Sequence, residues 1–344
     1  MAKEIQKISQ KNLSIETLRY IAAFAVICIH FFYPKDKQLT LIINQWARFA
    51  VPFFFVASGY FLSQKLKKND APPVYWNYVK KVLILYIAWQ FIYFINPNHY
   101  GEIYIRGWQQ AYLVKLNKVI LQNWDIMLGG WAPHLWFFES LALTVCFFFL
   151  FRLKRVYGML VLGIIFYVLG CLTKAYVKTK IGIPVSYLGL PKTFNSNYFI
   201  CASALPFTLG VLISKHNIHV KWWIAFIIII VGYALHFTEV WYLGTLKLHQ
   251  RIDYGFSTFI LGVGVFLLGL SRVKILESGF LAKLGGLSLG IYAIHVLTST
   301  YIYDFIVMHF KEYKNFLMPP LILIFSTLIS WGLSKIPVVK KLVS

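Results

Sequence analysis

The chain has 344 residues, of which 59% are hydrophobic and only 13% charged, and its formal net charge is +22. Soluble domains carry about 25% charged residues, so this composition excludes a soluble enzyme and indicates a polytopic membrane protein. The positive charge suits anionic lipid headgroups at a membrane surface. Because no recognisable nucleic-acid module accompanies that charge, the lipid bilayer is a predicted partner and nucleic acid is not.

Apolar runs of about 18 or more residues, the length that crosses a bilayer, recur along the chain. They predict an all-α, polytopic transmembrane helix bundle with about ten membrane-spanning helices. We expect a single integral membrane domain over residues 1–344, with no appended soluble domain. The predicted spans are 15–33, 46–65, 79–96, 134–151, 156–173, 197–214, 221–243, 254–271, 284–303 and 316–334. Spaced apolar and aromatic residues at 103–124 predict an amphipathic helix on the outer surface of the membrane.

The distribution of Lys and Arg predicts how the chain is oriented. Most of these residues fall on short loops on the side of the membrane that also carries the N-terminus. Because positively charged loops stay in the cytoplasm, we expect both termini to be cytoplasmic in a multi-pass protein of a bacterial plasma membrane. The loop that contains Lys174, Lys178, Lys180 and Lys192 contradicts this rule, since it would lie outside.

The first predicted span, "SIETLRYIAAFAVICIHFFYP", carries Glu16, Arg19 and His30. Arg19 and His30 are eleven residues apart, which on an α-helix places them within about 20° of one face and roughly 16 Å apart along the axis. Glu16 lies three residues before Arg19, within pairing distance. Ionisable residues inside a membrane are costly and indicate function. The alternatives are an interfacial Glu16–Arg19 pair that anchors the helix, and a His30 that only packs in the core.

A cleaved signal peptide is a second interpretation of this segment, because its N-terminus is basic and it contains three alanines. Arg19 and His30 interrupt the apolar stretch, and no small-x-small cleavage site follows it. The segment is therefore expected to stay in the protein as its first span.

Five titratable side chains are predicted near the outer membrane surface: His30, His134, Glu239, Asp253 and His295. A histidine beside a carboxylate is the simplest general base near neutral pH, because the carboxylate orients the imidazole and stabilises its charged form. Two alternatives remain open. Asp253 caps its helix or pairs with a neighbouring arginine, and His295 is a packing residue.

Four stretches resemble motifs of a known family. They are Arg19-x10-His30, "VPFFFVASGYFLS" at Val51–Ser63, "HLWFF" at His134–Phe138 and "LGGLSLGIYAIHVL" at Leu284–Leu297. Together they resemble the integral membrane acyltransferase-3 family over nearly the whole chain. The resemblance implies that His30 is the catalytic histidine and Arg19 an essential arginine of the first helix.

The resemblance also implies the substrates. The donor would be acyl-CoA, most often acetyl-CoA, arriving from the cytoplasm, and the acceptor a hydroxyl group of a cell-surface or exported glycan. No bound cofactor is expected. Members commonly carry Arg-x-x-Arg at the third helix, where this chain has only Lys80 and Lys81. A lysine lacks the bidentate fork of arginine, so phosphate binding at this position is less firmly implied.

The predicted site has a catalytic set and a substrate-binding set. The catalytic residues are His30 as the base and a carboxylate to orient it, with Glu239 as first choice and Glu16 as second. Ser58 and Tyr60 are candidate donors to an oxyanion, and close helix packing explains them equally well. The substrate-binding candidates are Arg19, Lys80, Lys81, Ser58, Tyr60, His134, Trp136, Asp253 and His295. The four cysteines show no paired spacing, so neither a disulfide nor a metal site is predicted.

A different class of protein also fits part of the pattern. Intramembrane Arg, Glu and His suit a proton-coupled secondary transporter, or a flippase, for a lipid-linked sugar or small metabolite. Such folds place broken helices at matching positions of two halves. Pro52 and Pro206 interrupt two predicted spans, but no corresponding motif surrounds them. The acyltransferase interpretation is therefore preferred.

Overall fold

The computed structural model describes residues 12–32, 37–96, 132, 134–189, 195–197, 199–246, 252–310 and 312–343, with isolated positions between 107 and 117. Within these ranges all regular structure is helical, which confirms the predicted all-α class. The α-helices are α1 Leu13–Phe31, α2 Lys37–Trp46, α3 Ala50–Leu66, α4 Pro72–Ile95, α5 Trp136–Phe151, α6 Val156–Thr173, α7 Ala204–Lys215, α8 Trp222–Thr245, α9 Thr258–Leu270, α10 Gly279–Gly285, α11 Ser288–Phe310 and α12 Lys314–Leu333. A short 3₁₀ turn, Ala47–Phe49, joins α2 to α3.

In the described part of the chain, six helical segments are long and apolar enough to cross a membrane, and a seventh is reached if α10 and α11 form one span. These two helices are bent by 67° relative to each other, where the sequence predicted a single continuous span. α5, α7 and α9 are shorter apolar helices. A helix coincides with each predicted span, but a count of ten membrane crossings stays a prediction. Most of the amphipathic helix predicted at 103–124 lies outside the described residues.

α1 is the central helix of the bundle. Its first turn is capped by Asn12, whose side chain accepts a hydrogen bond from the amide of Ile15 at 3.1 Å, and the apolar sequence that follows buries most of its surface. α3, α9, α10, α11 and α12 all pack against it. Because α1 is continuous from Arg19 to His30, the predicted axial separation of roughly 16 Å applies.

Small residues allow α3 and α7 to cross in backbone contact. A Cβ atom added at Gly59 would overlap the carbonyl group of Phe207, and one added at Gly210 would overlap the carbonyl group of Val56. Close packing, one of the two explanations for the small-residue stretch of α3, is therefore realised. α4 instead packs extensively on α5 and makes few contacts with α3. A space between α3 and α4 is thereby left open.

Candidate active site

Two cavities lie one above the other along α1. The first, here called the Arg19 cavity, has a volume of about 470 Å³ and is enclosed by α1, α3, α4, α5 and the start of α11. The second, the His30 cavity, has a volume of about 80 Å³ and lies at the other end of α1. Tyr292 lines both cavities. The structure thus places the two residues of the Arg19-x10-His30 motif in separate, adjoining spaces.

The Arg19 cavity is positively charged. Arg19, Lys65 and Lys81 line it, and they lie close enough for Arg19 and Lys65 to repel the charge of Lys81. Arg19 donates from one guanidinium nitrogen to both oxygens of Glu16, at 3.1 and 3.0 Å, as the three-residue spacing predicts. One carboxylate faces three cations, so the cavity retains an excess of positive charge suited to an anionic ligand.

Three histidines meet between α1, α5 and α11. The His295 ring lies 5.5 Å from that of His30 and 4.6 Å from that of His134, between ring centroids. His295 donates from Nδ1 to the carbonyl of Tyr292 at 2.6 Å, and His134 donates from Nε2 to the carbonyl of Ala293 at 3.2 Å. The other nitrogen of each ring is buried without a hydrogen-bond partner among the described residues. His30 is partly exposed to the cavity.

No metal site accounts for these histidines in the part of the chain that the structure describes, where no group of three His, Cys, Asp or Glu side chains is placed to hold a metal ion. The described contacts instead fix a proton on Nδ1 of His295 and on Nε2 of His134, because a carbonyl oxygen can only accept. His134 and His295 pack beside His30, whose imidazole faces the cavity.

Asp253 is the carboxylate that shares the cavity with His30. Its side chain is 41% exposed there, and it accepts hydrogen bonds from Arg48 at 3.0 Å and from Asn197 at 3.2 Å, with a third ionic contact to Lys174. Desolvation would raise the pKa of Asp253, but Lys174 and Arg48 outweigh it and hold that pKa below its usual range. Asp253 is therefore ionised beside His30 at neutral pH.

A family model described as an acyltransferase domain matches residues 12–335, and thus includes both cavities and all the residues that enclose them. The chain belongs to the acyltransferase-3 family. It is also 30% identical over 140 residues to a serine/alanine racemase of Enterococcus gallinarum, a stretch that covers 38% of this chain and 18% of that protein. The chain therefore spans under a fifth of this relative. No solved structure shows significant similarity.

Glu239, the first choice of orienting carboxylate in this acyltransferase-3 protein, does not line the His30 cavity. Both of its oxygens are used elsewhere, since they accept hydrogen bonds from the Tyr176 hydroxyl at 2.7 Å, the Phe256 amide at 2.7 Å, and the amide and hydroxyl of Ser257 at 3.3 and 2.8 Å. The donors of Phe256 and Ser257 lie in the turn that begins α9, so Glu239 stabilises that helix terminus, and the Tyr176 hydroxyl reaches it from the segment that follows α6. Contact with His30 is not among its interactions in the described residues.

Glu16, the second choice, pairs with Arg19 at the opposite end of α1. It lies three to four turns from His30 and cannot contact it. Neither predicted orienting carboxylate lines the His30 cavity, whereas Asp253, which the sequence assigned to substrate binding, does.

The two candidate oxyanion donors point in different directions. Ser58 lines the Arg19 cavity and hydrogen-bonds to Tyr78. Tyr60 packs on Phe266 of α9, with ring centroids 5.1 Å apart, and lines neither cavity. Two residues apart on a helix means roughly 200° apart around it. The described structure therefore does not bring Ser58 and Tyr60 to one cavity, and an oxyanion role for either stays a prediction.

The two neighbouring lysines also separate. α4 begins at Pro72, seven residues before the predicted span, so Lys80 and Lys81 lie inside the helix and not at its N-terminus. Lys81 lines the Arg19 cavity, whereas Lys80 is exposed and is not among the lining residues. Trp136 and His134, by contrast, both line the His30 cavity, and their role in substrate binding stays a prediction.

The sequence did not single out Arg48, which the structure places in the His30 cavity. Arg48 donates to the side-chain oxygen of Asn44 from Nε at 3.2 Å and from a terminal nitrogen at 2.7 Å. Asn44 in turn donates to the carbonyl of Ile29 at 3.0 Å, next to His30. The sequence signal was present, because Asn44 and Arg48 are four residues apart and therefore share a helical face. This network fixes the end of α1 relative to Asp253.

Proposed function

We propose that this acyltransferase-3 protein transfers an acyl group, preferably acetyl, from cytoplasmic acyl-CoA to a hydroxyl group of a cell-surface or exported glycan. The observation that carries the proposal is the alignment of the cationic Arg19 cavity with the His30 cavity along α1, with Tyr292 common to both. The axial distance of roughly 16 Å between the two motif residues is comparable to the length of a pantetheine arm.

The Arg19 cavity supplies the donor site in this proposal. Arg19, Lys65 and Lys81 are cations of the kind that bind phosphate groups. The first residues of α11, Ser288 and Leu289, also line the cavity, so backbone N–H groups of a helix start face the same ligand and favour an anion. The basic loops of the predicted cytoplasmic side then lie where acyl-CoA arrives.

His30 supplies the base. Its imidazole accepts the proton of the acceptor hydroxyl while the oxygen attacks the thioester carbon, so that a C–O bond forms and the C–S bond breaks. The imidazolium then returns its proton to the departing CoA sulfur. Asp253 stabilises the transient positive charge on His30 from within the same cavity. An acyl-His30 intermediate is the alternative route, and label exchange between acetyl-CoA and free CoA without acceptor distinguishes it.

The test is CoA release from radiolabelled acetyl-CoA by the purified protein in detergent, with an exported glycan fraction and serine as trial acceptors. Serine is included because the partly matching relative is a serine/alanine racemase. Wild type should release CoA, and His30→Ala should release it 10²- to 10⁴-fold more slowly, the usual loss for a general acid–base group.

His219→Ala is the matched control, because His219 is exposed and lines neither cavity; it should behave as wild type. Substrate flux into proteoliposomes without CoA release would refute the proposal and favour the transporter alternative. Equal turnover by wild type and His30→Ala would refute the role of His30.

A further inference from the structure

Tyr292 of α11 lies between the two cavities and lines both of them. It is only 5% exposed. Its hydroxyl donates to the backbone carbonyl of His134, and its own carbonyl accepts from the His295 ring at 2.6 Å. Its ring is therefore held in place at the junction between donor site and base.

Aromatic rings complete the partition around Tyr292. Phe137 and Phe138 of α5 lie 5.3 and 5.6 Å from it, and Phe54 of α3 lies 6.4 Å away, between ring centroids. All three phenylalanines line the Arg19 cavity. An acyl group that moves from this cavity to His30 must therefore pass along the face or edge of Tyr292, between rings that pack at van der Waals distance.

Space beyond the partition is small. The His30 cavity measures about 80 Å³, whereas an engineered protein cavity of about 150 Å³ binds benzene, which has six heavy atoms. About half that volume suits an acetyl group, which has three. Each further methylene group would have to fit into this small space beside Tyr292, and well-packed interiors resist overpacking.

We propose that Tyr292 is a specificity-determining residue that restricts the transferred acyl group to a short chain. This inference rests on the proposed function and deepens it, because it assigns the donor class to one side chain. Replacing the ring by a smaller side chain joins the two cavities and admits longer acyl groups. Removing only the hydroxyl leaves the partition, and the selectivity, in place.

The experiment compares kcat/KM for CoA release from acetyl-, butyryl- and hexanoyl-CoA in the purified protein. Tyr292→Leu should raise the butyryl-to-acetyl ratio by at least about 10-fold, because a pocket discriminates one methylene group by about 10- to 200-fold and butyryl exceeds acetyl by two. Tyr292→Phe should keep the wild-type ratio within about threefold. Phe149→Leu is the matched control on α5, since Phe149 packs on Tyr75 and Trp76 away from both cavities, and it should leave the ratio unchanged.

The ratio of kcat/KM values for two donors is measured because a variant that is only less well folded would lose activity with all donors equally. If Tyr292→Leu does not survive purification, Phe137→Leu opens the same partition from α5 and should shift the ratio in the same direction. An unchanged ratio in a folded partition variant would overturn the inference, as would wild type that uses hexanoyl-CoA as efficiently as acetyl-CoA. Absence of CoA release from any donor by wild type would instead overturn the proposed function, and the inference with it.

Discussion

Replacing Asp253 and Glu239 separately tests which carboxylate serves His30. Asp253 lines the cavity of His30, whereas Glu239 accepts three hydrogen bonds from the turn before α9 and a fourth from the Tyr176 hydroxyl. Asp253→Asn should therefore lower the rate of acyl transfer, and Glu239→Gln should lower stability. Both substitutions are nearly isosteric and remove one negative charge, so each is the control for the other.

The size of the Asp253 effect follows from the charges in the cavity. Arg48 and Lys174 together bring two positive charges to Asp253, and Asp253→Asn leaves both uncompensated next to the imidazolium that forms in the transition state. For charges roughly 6 to 8 Å apart at an effective dielectric constant near 20, one unit charge is worth about 2–3 kcal/mol. The rate should accordingly fall about 30- to 100-fold.

Glu239→Gln should instead remove charge-assisted hydrogen bonds, which are worth about 1.5–3 kcal/mol each for a buried group. We expect a lower midpoint of thermal unfolding in detergent and a transfer rate within about threefold of wild type. The rate is followed by CoA release from acetyl-CoA, and stability by unfolding of the same preparations. Near-normal turnover in Asp253→Asn together with lost turnover in folded Glu239→Gln would refute the assignment.

Three further outcomes are expected. Arg19→Lys keeps the charge but loses the guanidinium fork, so the Kd for acetyl-CoA should rise more than the KM for the acceptor; weakening of acceptor binding alone would argue against a donor site at Arg19. The orientation of the chain is tested by single cysteines in a background without native cysteines. A cysteine at Tyr187, which is 82% exposed, should react with an impermeant thiol reagent added outside intact cells, whereas one at exposed Asn69 should react only after lysis. Reversed labelling at both positions would mean that the chain has the opposite orientation. Because the pKa of Asp253 is held low, its stabilising contribution is complete above its unfolded value of about 3.9 and is lost as pH falls through the folded value. The difference in unfolding midpoint between wild type and Asp253→Asn should thus be constant from about pH 5 to 8 and shrink in acid, and a difference that grows below pH 4 would contradict this sign.

Helical periodicity was sufficient to predict the relative positions of the site residues that lie on one helix. The 3.6-residue repeat predicts that Arg19 and His30 share a face of α1 and that Glu16 reaches Arg19, and the structure has both arrangements. The same repeat also separates Ser58 from Tyr60, an inference the sequence already permitted. Local geometry is predictable because it depends only on neighbours along the chain.

Relations between distant segments were not predictable in this way. Glu239 and Asp253 are both carboxylates near the same expected membrane surface, and the choice between them depends on how the turn before α9 folds back onto α8. Lys174 lies on a loop predicted to be outside, where basic residues are not expected, and in the structure it forms an ion pair with Asp253. The bend between α10 and α11 left no proline as a marker, so the run appeared continuous.

The crossing of α3 and α7 has a mechanical consequence for how the Arg19 cavity could open to the proposed donor. Where backbone touches backbone, no side chains are available to repack, so the two helices form a stiff seam along one flank of the Arg19 cavity. The opposite flank is α4, which is attached to α5 and only loosely to α3. Opening of the cavity is therefore expected on the α4 flank, while the continuous helix α1, which carries both Arg19 and His30, keeps their spacing constant.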